Sequence, residues 1–248
     1  MNLHRVCVSV VSHQQAPLAE NLLRDLAAFC RDCVAVVLTL NVDEPLPFRT
    51  DEFGFPVRLI VNPRPRGFGC NHNAAFDLCR GESFCVLNPD IRLAANPFLA
   101  LGEELARGRA GVVAPRIVDR HGRIEDSARR FPTFISLAAK ATGRARRLDY
   151  DYDIGSAPFS PDWVAGMFML FSTAAFRAVR GFDERYFLYY EDVDICARLG
   201  AAGYDVRLVP AATATHEAQR ASRREWRYRA WHAQSALRFL LTARRTPR

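Results

Sequence analysis

The sequence predicts an α/β protein with a mainly parallel central sheet and helices on both faces. Short runs of β-branched and other apolar residues alternate with stretches of helical periodicity through the first 114 residues. At 248 residues the chain fits one large domain. Hydrophobic residues make up 49% and charged residues 25%, the balance of a folded protein with a sizeable core, which excludes a disordered chain.

Each element follows in order. Arg5 to Val11 (RVCVSVV) is a buried first strand ending at polar Ser12-His13. Leu18, Leu22, Leu26 and Phe29 recur at the spacing of an amphipathic helix. Val34 to Leu40 and Val57 to Val61 are the next strands, separated by the Pro-rich, acidic loop from Asn41 to Pro56. Gly67 to Cys79 is helical after a Gly-rich entry, and Ser83 to Leu87 is a fourth strand stopped by Asn88-Pro89. A helix from about Pro97 to Ala106 carries proline near its first turn, where a missing N–H costs little. Gly111 to Ala114 is a fifth strand.

After Pro115 the rhythm changes. A turn is expected at Asp119 to Gly122, then a basic, loop-rich stretch from Arg129 to Ala157. Trp163 to Phe171 reads as a strand, Thr173 to Val179 as a short helix, and Asp192 to Ala202 as another helix. Val206 to Val209 is the last expected strand and Arg223 to Leu241 a long terminal helix. No repeat and no linker interrupts this order. One domain is expected, with a nucleotide-type half over 1–114, an irregular half over 115–221 and a basic C-terminal helix over 222–248.

The net charge of +7 favours anionic partners: nucleic acid, an anionic membrane surface or a phosphorylated small molecule. Seven cysteines, an odd number with several inside apolar runs, fit a reducing compartment better than a disulfide framework. Cys30 and Cys33 form a CxxC with no second pair at zinc spacing and read as structural. The N-terminal apolar run is too short for a signal peptide, and no stretch is long enough to span a bilayer. The expected location is the cytoplasm, with peripheral contact to the inner face of the membrane left open.

Four constellations carry candidate chemistry. RGFGCNHN, Arg66 to Asn73, follows the third strand and has His72 where a dinucleotide fingerprint needs its last glycine, so a dehydrogenase reading fails. It reads either as an anion-binding helix start with Arg66, Asn71 and Asn73, or as a plain helix cap. Asn88-Pro89-Asp90 ends the fourth strand, where open α/β sheets gather ligands; its carboxylate can hold a hard cation, and NPD is also a common turn. Glu191, Asp192 and Asp194 crowd three carboxylates into four residues, flanked by Tyr186, Phe187, Tyr189 and Tyr190. Such crowding raises the proton affinity of at least one carboxylate. His216 follows the last strand, and a neutral imidazole there suits a metal or phosphate.

These elements in this order resemble glycosyltransferase family 2, which has the GT-A, Rossmann-like fold, and within it the bacterial rhamnosyltransferases of cell-surface polysaccharides. The resemblance runs from Arg5 to about Arg224. It rests on RGFGCNHNAAF, VLNPDIRL, the long block from Trp163 to Pro210 containing GFDERYFLYYEDVDICAR, and His216. It implies a nucleotide-sugar donor, a dTDP- or UDP-sugar with L-rhamnose from dTDP-rhamnose the one it points to. It also implies Mg²⁺ or Mn²⁺ and a glycan or lipid-linked acceptor. By position, Asp192 of Glu191-Asp192 matches the general base of an inverting transfer. Asp90 matches the metal carboxylate, with Asn88 in place of the motif's first aspartate, and His216 matches the residue at the metal–diphosphate end. Trp163 and Gly166 fall on the acceptor side, and Ser12, Asn41, Arg66, Asn73 and Asn88 on the donor side.

Two positions depart from the family. The second strand ends in Asn41 where an aspartate is usual, and Ser12-His13 stands where many members have Thr-Tyr-Asn. Both bear on the nucleobase. From Ser222 the tail places Trp226, Ala230, Ala233, Leu237, Leu240 and Leu241 at helical spacing among arginines, a helix that docks on the domain or lies on a membrane. Two other classes compete: a non-catalytic nucleotide-sugar-binding or scaffold protein of the same fold, and a nucleic-acid-binding protein. The second has only charge in its favour, since no helix-turn-helix, zinc or RNP signature accompanies it.

Overall fold

Period-2 alternation along buried strands organises the molecule, because each strand feeds two cores at once. A computed structural model describes residues 6–134, 136, 149–217 and 226–243. In β1 (Val6–Ser12), Val6, Val8 and Val10 face one core, while Cys7 faces the other. In β4 (Ser83–Leu87), Cys85 and Leu87 join the first core, and Phe84 and Val86 the second. The first core is covered by α1 (Ala16–Phe29), through Ala19, Leu22, Leu23 and Leu26, and by α3 (Phe98–Ala106). Each fully buried leucine there contributes about 1.5–3 kcal/mol. The second core is covered by α2 (Phe68–Asp77), α4 (Thr173–Ala178), α5 (Glu191–Ala201) and α6 (Trp226–Ala243).

The main sheet runs β3-β2-β1-β4-β9-β6-β10-β5, where β2 is Val34–Leu40, β3 Val57–Val61, β5 Ile91–Arg92, β6 Ala110–Val118, β9 Phe168–Ser172 and β10 Asp205–His216. Its first four strands are parallel, and β6 and β10 are parallel to each other. Between these groups β9 lies antiparallel to both β4 and β6. A small second sheet pairs β7 (Ala128–Arg129) with β8 (Trp163–Val164).

The structure corrects the sequence reading in four places. The expected strand from Trp163 to Phe171 is two strands in different sheets, because the backbone breaks at Gly166, whose N–H turns aside to a carboxylate. The last strand does not stop at Val209. Pro210 has no N–H to donate, so the ladder with β6 slips between Val209 and Thr213 and then resumes as far as His216. Two short strands, β5 and β7, carry too few residues to show a pattern. The docked face of α6 is not the expected stripe: Ser235, Ala236, Phe239 and Leu240 are buried, whereas Trp226, Ala230, Ala233, Leu237 and Leu241 are exposed. The surface α6 meets is aromatic, and Phe239 and the Ser235 hydroxyl dock there beside Leu240. The part of the terminal segment over 218–225 and much of the basic loop lie outside the described residues. No described helix is long and apolar enough to cross a membrane.

Candidate active site

Three parallel strands, β1, β2 and β4, end along one edge with Ser12, Asn41 and Asn88-Pro89-Asp90, the edge where open α/β sheets bind ligands. Along that edge each polar group is held by backbone geometry or by a neighbouring side chain.

Asp90 is placed by β5. Its carbonyl accepts from the Glu217 N–H, and the β5–β10 pairing sets Ile91 opposite His216. Arg92 is in turn gripped by buried Asp25 of α1 through two bonds of 2.7 and 2.9 Å. The Asp90 Oδ2 meets His216 Nε2 at 3.2 Å, and His216 Nδ1 meets Glu125 Oε2 at 2.7 Å. Burial lowers the imidazole's proton affinity, but the Asp90 bond and charge, and then Glu125, outweigh it and lift the pKa to about 9.

The residues present fit a hard divalent cation. Asp90 Oδ1 is buried with no hydrogen-bond partner, an oxygen donor left open. His216 is oriented by a carboxylate on its far nitrogen, the usual arrangement behind a metal-binding imidazole.

Asp192 is presented at the start of α5. Its Oδ2 accepts the Gly166 N–H at 3.0 Å and its Oδ1 the Val193 N–H at 2.9 Å. Burial raises the pKa of this carboxyl; the Gly166 and Val193 N–H groups and the Arg129 charge oppose the rise without cancelling it. Glu191 beside it is buried with Oε2 unpartnered, and burial followed by the Asp192 charge pushes its pKa well above the carboxylate range. Glu191 thus holds its proton more tightly than an ordinary carboxyl, and Asp192 is the more exposed of the two. Trp163 donates from Nε1 to the Arg130 carbonyl, and the Arg129 guanidinium lies 5.2 Å from the centre of its ring.

Adjacent peptides join the two centres. Gly166 donates to Asp192, and the next residue, Met167, accepts the Asn88 N–H at 2.9 Å. The loop bearing Asp90 and the helix bearing Asp192 are therefore set against the same two residues, although they stand about a hundred positions apart in sequence.

The donor-side residues take several roles. Asn88 is half-buried, and its side-chain amide has no hydrogen bond among the described residues. Ser12 Oγ is bonded at 2.5 Å to Glu44, which also accepts the N–H groups of Gln14 and Ala16 and so caps α1. Asn41 is bonded through both side-chain atoms to the Arg66 backbone and through Oδ1 to Asn62, which reaches on to Asn71. This chain of amides pins the turn that projects the exposed Arg66 guanidinium at the α2 N-terminus. Asn73 has a task other than the expected donor contact: its amide spans α2 and the following half, bonding Phe182 N–H, Phe182 carbonyl and Glu184.

The glycines of RGFG, expected at an anion-binding helix start or a plain helix cap, have a packing role. A Cβ on Gly67 would stand 2.7 Å from the Phe187 carbonyl oxygen, and one on Gly69 would stand 2.6 Å from the Phe182 Cβ. They let α2 lie against the segment leading to Asp192. Sequence reasoning also missed Glu125, Asn62, Glu44 and Arg129, because polar residues in loops carry no periodic signal and their partners are distant in the chain.

The mixed α/β sheet and the helices that flank it are those of a glycosyltransferase of the GT-A fold. The profile of the family described as "Glycosyl transferase family group 2" matches residues 85–245, and the chain belongs to that family. It is 34% identical over 236 residues to N-acetylglucosaminyl-diphospho-decaprenol L-rhamnosyltransferase of Mycobacterium tuberculosis, covering 84% of this chain and 75% of that protein. It is 43% identical over 188 residues to rhamnosyltransferase WbbL of Escherichia coli K12, covering 72% and 71%. Among solved structures it is similar to GalNAc-T7 with UDP, GalNAc and Mn²⁺ at a TM-score of 0.72 and 14% identity, covering 97% of this chain and 48% of that one. It is also similar to the mannosyltransferase PcManGT of Pyrobaculum calidifontis with GDP-Man and Mn²⁺, at a TM-score of 0.69 and 19% identity, covering 99% and 65%. The chain thus spans about half the length of the first structure and just under two thirds of the second.

Proposed function

We propose that this glycosyltransferase catalyses inverting, metal-dependent transfer of L-rhamnose from dTDP-rhamnose to a hydroxyl of a lipid-linked glycan in cell-surface polysaccharide synthesis. The observation that carries the reading is the Gly166–Met167 bridge. It ties Asp192, read as the base, and the loop of Asp90, read as the cation carboxylate, to one short segment, which supports a displacement that uses both groups. The rhamnosyltransferase relatives support the sugar and the lipid-linked acceptor.

In this reading Asp192 takes the proton of the acceptor hydroxyl as its oxygen attacks the anomeric carbon. The Gly166 and Val193 N–H groups hold the carboxylate in place, and neutral Glu191 adds no second charge beside it. Asp90 and His216, backed by Glu125, would hold Mg²⁺ or Mn²⁺, which would neutralise charge on the departing diphosphate. Arg66 and the α2 N-terminus add positive potential on the same side. Ser12 and Asn41 shape the nucleobase end through the turns they fix, Asn88 offers its amide to the ribose, and Trp163 lines the acceptor side.

The test is transfer of labelled rhamnose from dTDP-rhamnose to a synthetic N-acetylglucosaminyl-diphospho-lipid with and without Mn²⁺. Transfer that stops on chelation is expected. Donor binding without transfer or hydrolysis for any nucleotide sugar would make the protein a non-catalytic binder. The proposal places the enzyme in the cytoplasm with Leu237 and Leu241, exposed on α6, toward the membrane that carries the acceptor. Failure to sediment with anionic vesicles at low salt would remove that last part.

A further inference from the structure

The segment that delivers Asp192 is strained, and residues far downstream hold it. Tyr189 and Tyr190 have φ of 69° and 68°, two successive left-handed residues that are not glycine. Each such residue is disfavoured on its own and persists only where its surroundings enforce it. Tyr190 is the residue immediately before α5, so its conformation sets the direction in which Glu191 and Asp192 leave the turn.

One side of this turn is fixed by α2: the Phe187 carbonyl accepts the Phe68 N–H at 2.9 Å, over Gly67. The other side is fixed by α6. Ser235 Oγ donates to the Leu188 carbonyl at 3.0 Å. The Trp231 ring lies 4.8 Å from Phe187, and His232 lies 5.5 Å from Tyr189 and 5.3 Å from Tyr190. Phe239 packs 6.0 Å from Tyr190. Successive residues from 187 to 190 each meet α6, yet α6 supplies none of the groups assigned to proton transfer or cation binding.

We propose that α6 is a latch: Trp231, His232, Ser235 and Phe239 are positioning residues that hold the Tyr189–Tyr190 turn in its left-handed form and so set where Asp192 stands. The inference rests on Asp192 being the base. It assigns the C-terminal helix to catalytic geometry in addition to packing. A base displaced by about 1 Å can cost on the order of 100-fold in rate, so loosening the turn should act on kcat.

The experiment compares Trp231→Ala and Ser235→Ala with the full-length wild type in the transfer assay, each alone and combined with Tyr189→Gly. Glycine adopts the left-handed conformation without help, so a turn carrying it needs the latch less. The expected result is a fall in kcat of about tenfold for Trp231→Ala and a few-fold for Ser235→Ala, with the donor KM within twofold of wild type. In the Tyr189→Gly background the Trp231→Ala loss should shrink to a few-fold or less. Ser235→Ala, which removes one hydroxyl and leaves no large void, keeps the test open should Trp231→Ala fail to fold. Unchanged kcat in the folded variants, or equal losses in both backgrounds, would overturn the latch. Full turnover in Asp192→Asn would instead overturn the base assignment, a separate failure that the same assay identifies.

Discussion

Asp90 and Asp192 are held in unlike ways. Asp90 follows a buried strand, next to a two-residue strand whose register places His216 opposite its neighbour, and it is tied to sheet backbone and to the His216–Glu125 pair. Asp192 follows two left-handed tyrosines and is steadied by a glycine N–H, by α2 and by α6, each from a different part of the chain. The first centre is a product of strand pairing, which is local in space and tolerant of change elsewhere. The second depends on several long-range packings at once, so it should be the more sensitive of the two to substitutions that never touch the reacting groups.

The largest expected effect is at Asp192, the proposed base. Asp192→Asn should lower kcat by about 10²–10⁴-fold while donor binding, followed by thermal shift, is retained. Asp90→Ala should lower kcat by about 10²–10³-fold and remove the Mn²⁺-dependent part of donor binding, so the two aspartates separate in binding although both lose turnover. Retained Mn²⁺-dependent binding in Asp90→Ala would break the comparison. Glu125→Gln should weaken Mn²⁺ affinity about 10–100-fold with kcat at saturating metal nearly restored, because it touches only the back of His216.

Smaller effects should distinguish the held turn from the strand end. Gly67→Ala drives a methyl group toward the Phe187 carbonyl, a backbone atom that cannot step aside, and should destabilise the fold by about 1–3 kcal/mol in urea melts. Glu191→Gln sharpens the account of the acid pair. The folded-state pKa of Glu191 is raised, so at this site the folded form binds more protons than the unfolded one above the unfolded value, and the contribution of Glu191 to stability falls as pH rises from about 4.5. The glutamine variant carries no such proton, so its stability should exceed wild type increasingly toward neutral pH. Parallel stability curves for the two proteins would remove the neutral Glu191.

Much of the frame was legible before the coordinates. Val34–Leu40, Val57–Val61 and Ser83–Leu87 are found at the residues their β-branched and apolar composition indicated. Strands of that kind are marked by their own sequence. What could not be read was set by partners elsewhere. Nothing near Gly166 announces that its N–H will leave the sheet for Asp192, and Pro210 hides a strand that resumes beyond it. The tail was read from Trp226, its alanines and its leucines; Leu240 docks, but Ser235 and Phe239 dock because of the Leu188 carbonyl and the Tyr190 ring they meet. At the site, the resemblance named Asp90, Asp192 and His216. Glu125 and the Asn41–Asn62–Asn71 chain emerge only when loops from separate regions are brought together.

The antiparallel insertion of β9 bears on how the chain reaches its native form. Phe84 to Leu87 and Val112–Val113 face a gap that only Phe168–Ser172 can close, and those residues leave the ribosome some fifty positions after β6 is complete. Until then an apolar strand edge stands unpaired, the condition in which nascent chains associate with one another. Pairing across that sequence separation also makes closure entropically slow. A fragment ending near Val118 should therefore aggregate rather than yield a free-standing nucleotide-binding half, and production of the whole enzyme should benefit from chaperones that shield the β4 edge during synthesis.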